Sequence, residues 1–138
     1  MLKVENKLAK YGKSGQGSGD WSDIKSQKPF FGQVRVSGGK DVGDQLPDLL
    51  AKSGYPVVKA SQVTVPPHYP DIYEMRYNIA MHMNCVMQTD IEIGKILSRL
   101  ERDGLTDKTI IFVFADHGSD LPRSKEFCYI EGLHVPLI

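Results

Sequence analysis

The clearest pattern of apolar and polar positions lies between residues 71 and 103. Residues 71–102 contain no proline and a single glycine. Their apolar side chains recur at spacings of three and four, at Met75, Ile79, Met83, Val86, Ile93, Leu97 and Leu100. Asp71 stands where an N-cap is expected, and Gly104 stands just past the end. We therefore predict one long helix over about 71–103, with this apolar stripe facing a core.

One polar residue interrupts the stripe. The position between Val86 and Ile93 that should be apolar is Asp90. An unpaired carboxylate in a core is costly, so we expect Asp90 to accept hydrogen bonds from neighbouring groups. This favours a structural role for Asp90 over a catalytic one.

A second apolar pattern, "IIFVF", fills residues 110–114 without any polar interruption. Such a run is typical of a parallel strand that is covered on both faces. A further strand is predicted within residues 29–36, "PFFGQVRV". The order strand, irregular connection, helix, strand indicates an α/β fold, with a mostly parallel sheet and flanking helices.

Composition sets the limits of the domain. Residues 12–28 are rich in glycine, serine and charge, so 1–28 is predicted to be a polar loop or linker, and 29–138 to be part of one domain. The chain ends inside the apolar run "GLHVPLI", and we expect the domain to be truncated at both ends.

Charge and hydropathy exclude some partners. The 17 basic and 17 acidic residues balance, and no basic stripe of the kind that binds nucleic acid is present. No apolar run approaches the roughly 20 residues that a membrane span needs. No signal peptide is visible in the first residues. Two cysteines in unlike contexts, Cys85 and Cys128, are more typical of small buried side chains than of a disulfide.

Candidate chemistry follows the 110–114 run directly, as Asp116, His117 and Gly118. Ligands of open α/β sheets bind at the carboxyl ends of strands. A carboxylate, an imidazole and a glycine that permits a sharp turn suit a metal site there. The alternative is that Asp116 caps a turn and His117 faces solvent. Likewise, Arg123 and Lys125 either hold an anion or are ordinary surface charge.

Three stretches resemble the sulfatase family of the alkaline-phosphatase superfamily. They are "KPFF" at 28–31, "TDIEIGKILSRL" at 89–100, and the run from "TIIFVFADHG" through a lysine and a tyrosine to "GLHVP". The likeness extends over about residues 28–138 and is densest over 90–138. It implies a partial alkaline-phosphatase-like sandwich and a hydrolase of sulfuric esters or sulfamates.

The resemblance also implies roles for single residues. Asp116 and His117 match the family's ligands to a divalent cation, usually Ca²⁺. Because calcium prefers oxygen donors, the imidazole is either a weaker ligand or a hydrogen-bond donor to the substrate. Lys125 matches the lysine that contacts the sulfate group, and Asp90 matches a family aspartate. A sulfated small molecule or glycan is the implied substrate.

The chain departs from the family at the nucleophile. Sulfatases carry Cys/Ser-x-Pro/Ala-x-Arg, whose first residue becomes formylglycine, and neither "CVMQT" nor "CYIEG" fits. The family's N-terminal pair of metal-binding aspartates is missing too, so both features are expected upstream. Lys40, in "SGGK", is the candidate to replace a family histidine, with His68 as its rival. No role is assigned to His82 or His134.

Two other interpretations stay open. One is a phosphodiesterase or phosphonate monoester hydrolase of the same superfamily, which would differ in the unseen nucleophile. The other is an inactive, truncated copy of the fold. We expect the 138 residues alone to be inactive. Family analogy places such enzymes in the periplasm, the lysosome or outside the cell.

Overall fold

The computed structural model describes residues 8–11, 31–36, 39 and 46–138. The chain divides into two compact units, Met1–Val36 and Ser37–Ile138. In the first unit, strand β1 (Leu8–Tyr11) pairs in parallel with strand β2 (Phe31–Val34), and Leu8 lies opposite Phe31. Among the described residues these two strands form the only sheet.

The first unit contains the predicted strand and a second one that was not predicted. Strand β2 lies inside the predicted strand 29–36. The segment 1–28 was predicted to be a polar loop or linker region, and within it Leu8–Tyr11 form a strand in register with β2. Four residues are too few to show an alternating pattern of their own, so only the partner strand reveals them. The rest of 1–28 lies outside the described residues.

In its described residues, the second unit contains three α-helices. Their bounds are α1 (Leu46–Lys52), α2 (Tyr73–Arg102) and α3 (Ile130–Leu133). Short 3₁₀ turns lie at Ala60–Gln62 and Thr106–Lys108. None of the helices in the described residues is long and apolar enough to cross a membrane.

Helix α2 confirms the predicted long helix, and its end follows from Gly104. Gly104 has a φ of +64°, in the left-handed region that glycine adopts without steric cost. Its N–H donates to the Glu101 carbonyl at 2.9 Å, and the Leu105 N–H donates to the Leu100 carbonyl at 3.1 Å. This pair of bonds is a Schellman motif, closed by the buried side chains of Leu100 and Leu105.

The predicted N-cap is wrong. The cap residue is Ile72, which offers no side-chain hydrogen bond. Asp71 instead accepts a hydrogen bond from Arg76 Nη2 at 2.6 Å, and this bond lowers the pKa of the Asp71 carboxyl. The guanidinium therefore competes successfully with the helix N–H groups for this carboxylate.

The core of this unit forms two apolar clusters on α2. One joins Leu46 and Leu50 of α1 to Cys85. The other joins Val63 to the side chains of Met75, Ile79 and Ala80. Both clusters lie where α1 and the chain between the two helices cross α2.

The buried face of α2 differs from the predicted stripe. Met75, Ile79 and Leu100 are buried, whereas Met83, Val86 and Leu97 are exposed. Asn84 takes a place in the buried face because its amide pairs with both backbone groups of Val58, at 2.9 and 3.0 Å. A buried amide with its hydrogen bonds made is tolerated in a core, and an apolar periodicity cannot reveal it.

The prediction of a buried parallel strand at 110–114 is not confirmed. The chain is extended there, but its one bridge in the described residues is antiparallel, between Phe114 and Leu137. Val113 and Ile138 exchange two backbone hydrogen bonds of 2.9 Å beside it. Ile110 and Phe112 are 83% and 69% exposed, because no described strand covers either face.

Candidate functional site

Four of the predicted site residues, Asp116, His117, Gly118 and Lys125, lie on one segment, here called the site loop (residues 116–129), between that bridge and α3. Backbone hydrogen bonds fold it back on itself. The Lys125 N–H donates to the Ser119 carbonyl at 3.2 Å, and the Phe127 N–H donates to the Ser124 carbonyl at 2.9 Å. The Gly118 N–H donates to the carbonyl of Gly132 in α3 at 3.1 Å. The loop therefore has a defined shape that ties Asp116 and His117 to the stretch containing Lys125.

Gly118 is required for a different reason from the predicted one. The sequence suggested a sharp turn, but Gly118 does not have a positive φ. A Cβ at this position would lie 2.2 Å from the Glu131 carbonyl oxygen and 2.4 Å from Ser124 Oγ. The close approach of α3, rather than an unusual backbone conformation, leaves room only for hydrogen.

Ser124 is the residue that the sequence reasoning missed. It is 1% exposed, and its hydroxyl donates to the Glu131 carbonyl at 2.8 Å. Ser119 donates in turn to Ser124 Oγ at 3.2 Å. In the sequence "PRSKEF" this serine looks like any surface serine. Only the fold reveals that it is buried and that its hydroxyl makes these hydrogen bonds.

Asp116 and His117 present two metal-type ligands side by side. The His117 Nε2 and Asp116 Oδ1 atoms are 3.7 Å apart, and the Asp116 side chain is 80% exposed. His117 Nδ1 lies 2.7 Å from the Gly118 carbonyl oxygen. Since a carbonyl only accepts, Nδ1 carries the proton, and the lone pair of a neutral ring is left on Nε2.

This pair fits a divalent cation. Two ligands of one Ca²⁺ ion, each about 2.3–2.6 Å from it, lie at most about 5 Å apart. The 3.7 Å separation satisfies that limit, and the fixed tautomer leaves Nε2 able to coordinate. Within the described part of the chain, no group of three or more His, Cys, Asp or Glu side chains is placed so that it could hold a metal ion. Asp116 and His117 are thus two side chains whose separation would allow them to bind one cation together.

Lys125 forms an ion pair with Asp120 inside the site loop. The hydrogen bond to Asp120 raises the pKa of the Lys125 ammonium above its usual value. The ammonium therefore stays charged at neutral pH while Asp120 holds it in place. An anion that binds Lys125 must share it with this carboxylate.

Arg123 has an unusual backbone beside this pair. Its φ is +64°, which is uncommon for a residue other than glycine, and its guanidinium lies 4.4 Å from the centre of the Tyr129 ring. Outliers of this kind concentrate at functional sites, where the surrounding contacts hold the strained conformation.

His68 and Tyr69 contact α3 and the site loop from the segment before α2. The His68 Nε2 atom lies 3.4 Å from Glu131 Oε1, and the hydroxyl of Tyr69 donates to the Pro122 carbonyl at 2.5 Å. Burial raises the pKa of the Tyr69 hydroxyl. His68 and Tyr69 therefore hold α3 and the loop against the body of the unit. Lys40, the other candidate, lies outside the described residues.

Asp90 lies on the exposed surface of α2, so the expectation that it interrupts a buried stripe is wrong. Its carboxylate accepts a hydrogen bond from the Tyr55 hydroxyl, and this bond raises the pKa of Tyr55. The expected hydrogen bonding is present, and the structural role of Asp90 stays a prediction. Of the two cysteines, Cys85 is buried and Cys128 is exposed.

Comparison with known proteins places these features in a family. The sulfatase family model matches residues 20–138. An ulvan-active sulfatase of Formosa agariphila is 36% identical over 80 residues, which is 58% of this chain and 13% of that protein's length. No solved structure matches the chain. Since the family match includes the site loop and the whole of the second unit, the chain belongs to the sulfatase family, with the alkaline-phosphatase-like α/β fold that this family implies.

Proposed function

We propose that this chain supplies the cation-binding and sulfate-binding side of the active site of a sulfuric ester or sulfamate hydrolase. The observation that carries the proposal is the Asp116 and His117 pair, 3.7 Å apart on the same folded loop as Lys125. Family membership makes a sulfated substrate the natural reactant.

Each residue has a distinct task in this proposal. Asp116 and His117 hold a divalent cation, Ca²⁺, through a carboxylate oxygen and Nε2. When bound, the cation stabilises negative charge on the sulfuryl oxygens. The Lys125 ammonium donates hydrogen bonds to the same group of oxygens, and Asp120 orients it before the substrate arrives. Gly118 and Ser124 keep the loop in the shape that joins these groups.

The nucleophile is proposed to be a formylglycine on a segment outside this chain. Neither Cys85 nor Cys128 lies in the family's Cys/Ser-x-Pro/Ala-x-Arg pattern. The match to the sulfatase of Formosa agariphila spans only 13% of that protein. We call the polypeptide that carries this chain together with the nucleophile the complete enzyme. The 138 residues alone should therefore be inactive, and measurable hydrolysis of an aryl sulfate by them would contradict this.

The finer fold proposal concerns residues 110–114. In the complete enzyme this run is proposed to lie within a mostly parallel sheet that helices cover on both faces. The support is the exposure of Ile110 and Phe112, which is costly for side chains of their size. Amide hydrogen exchange at 110–114 should be slow in the complete enzyme and fast in the 138-residue chain. Equal exchange rates would contradict the added strands.

The experiment that tests the function is substitution of Lys125 in the complete enzyme. Lys125→Ala should lower kcat/KM for a sulfate ester by about 10²–10³-fold, as expected for loss of one donor to the transition state. Lys108→Ala, at an exposed lysine of a 3₁₀ turn, is the control and should leave kcat/KM unchanged. An unchanged rate for Lys125→Ala would overturn the sulfate-binding role. Faster hydrolysis of a phosphate diester or phosphonate monoester than of any sulfate ester would assign the site to phosphoryl chemistry.

A further inference from the structure

A cavity of about 260 Å³ lies between α2 and the site loop. Tyr77, Asn78 and His82 of α2 line one side, and Asp120, Leu121 and Pro122 of the loop line the other. Asp120 is also the ion-pair partner of Lys125. The carboxylate of Asp120 thus connects the cavity with the lysine that is proposed to bind sulfate.

The lining combines polar and apolar groups in a way that suits a sugar ring. The Asn78 amide offers both donors and acceptors, and the carboxylate of Asp120 accepts. Tyr77, Leu121 and Pro122 supply apolar surface. Hydroxyl groups need the polar partners, whereas the C–H faces of a ring favour the apolar ones.

The wall of the cavity at His82 is fixed by contacts with Gly39. The Gly39 N–H donates to Thr89 Oγ1 at 3.1 Å, and His82 Nδ1 lies 3.3 Å from the Gly39 carbonyl, to which it donates. Gly39 has a φ of +75°, and a Cβ there would lie 3.2 Å from His82 Cε1. His82 is therefore held in one orientation before any ligand binds. Its side chain then loses less conformational entropy when a ligand binds.

We propose that this cavity binds the alcohol portion of the substrate, as one uncharged, hydroxylated sugar ring whose sulfate lies at Lys125. The inference rests on the proposed function for the position of the sulfate. The volume supports a single ring, since pockets for drug-sized ligands span about 300–1,000 Å³. Larger glycans would extend beyond the cavity and gain no further contacts inside it.

The test compares two substrates in the complete enzyme. Asn78→Ala, at an exposed position where folding is safe, should raise KM for a sulfated monosaccharide by about five- to tenfold through loss of its hydrogen bonds. It should leave kcat/KM for methyl sulfate unchanged, because a methyl group does not reach the cavity. Ser98→Ala, at an exposed position farther along α2, is the control for both substrates. Equal effects on the two substrates, or none on either, would overturn the cavity's role.

A binding measurement separates failure of this proposal from failure of the proposed function. Saturation-transfer NMR with the same monosaccharide lacking its sulfate group reports on the cavity alone. A signal whose dissociation constant rises about five- to tenfold in Asn78→Ala and stays the same in Lys125→Ala supports the cavity even if no sulfate ester is hydrolysed. A dissociation constant that is unchanged in Asn78→Ala, or no signal from the unaltered protein, overturns it.

Discussion

The α2 core and the site loop are held together by different forces. In the α2 core, Leu46, Leu50 and Cys85 form one buried apolar cluster and Val63, Met75, Ile79 and Ala80 form another. In the site loop, all of which the structure describes, Ser124 is the one buried side chain. The loop is held by backbone hydrogen bonds and by the close approach of Gly118 to α3.

This difference decides which changes each region tolerates. Apolar clusters accept swaps that conserve volume, but lose stability when methyl groups are removed. A loop in which carbonyl oxygens approach a glycine has no space for an added methyl group. We therefore expect deletion of side-chain atoms to damage the α2 core, and addition of atoms to damage the site loop.

The largest effect is expected from Leu50→Ala. Leu50 is 0% exposed, so the substitution should lower the free energy of unfolding by about 2–5 kcal/mol. Met83→Ala is the matched control, because Met83 belongs to the predicted stripe but is largely exposed. Urea denaturation measures both losses. Equal losses would mean that Met83 is as deeply buried as Leu50, which would contradict its observed exposure.

Gly118→Ala should lower the free energy of unfolding by about 1–3 kcal/mol, because α3 or the loop must move away from the new methyl group. Gly94→Ala provides the contrast. Gly94 lies inside α2 with nothing within 4 Å of the added Cβ, and its substitution should raise stability by about 0.5–1 kcal/mol. The same denaturation measurement applies to both. If Gly118→Ala left the free energy of unfolding unchanged or raised it, the close approach of α3 to Gly118 would be contradicted.

Ser124→Ala probes the hydrogen bonds of the loop without adding atoms. The loss should be about 1–2 kcal/mol, since the Glu131 carbonyl and the Ser119 hydroxyl lose their partner. Ser61→Ala, at an exposed serine, should change the free energy of unfolding by less than about 0.5 kcal/mol. Equal stability of the two variants would mean that the hydrogen bonds of the Ser124 hydroxyl do not stabilise the loop.

The smallest effect concerns the ion pair of Asp71 and Arg76. Its hydrogen bond lowers the folded-state pKa of Asp71 below the ordinary value of 3.8. The pair therefore contributes stability above pH 3.8, and this contribution is lost as the pH falls through the lowered pKa. The free energy of unfolding, measured by urea denaturation, should therefore change less between about pH 6 and about pH 2 in Asp71→Asn than in the unaltered protein. An unchanged difference would show that this exposed pair contributes nothing measurable.

Local patterns predicted local structure well. The spacing of apolar residues and the position of Gly104 indicated the long helix and its Schellman end, because both depend on neighbours in sequence. Asp116, His117 and Gly118 were likewise singled out from their neighbours in sequence, and their roles stay predictions. The burial of Asn84 could not be foreseen, since it depends on Val58, which is distant in sequence.

The contacts that shape the candidate site were the hardest to predict. The Ser124 hydroxyl donates to the Glu131 carbonyl, and Lys125 forms an ion pair with Asp120. Both contacts depend on the backbone conformation of the loop. The 110–114 run predicted a buried parallel strand, whereas the structure shows an antiparallel bridge at Phe114, because apolar composition does not specify which strand pairs with it. The sequence therefore singled out candidate groups, and the structure shows how the loop that carries them is held.

Calcium titration of the complete enzyme, followed by NMR of the His117 ring nitrogens, tests the central claim most directly. Ca²⁺ should shift the His117 Nε2 signal, and Asp116→Asn should weaken binding at least about tenfold, whereas Asp107→Asn, at an exposed carboxylate of a 3₁₀ turn, should not. A His117 signal that does not respond to Ca²⁺, together with unchanged affinity in Asp116→Asn, would contradict the assignment of this pair as the cation site.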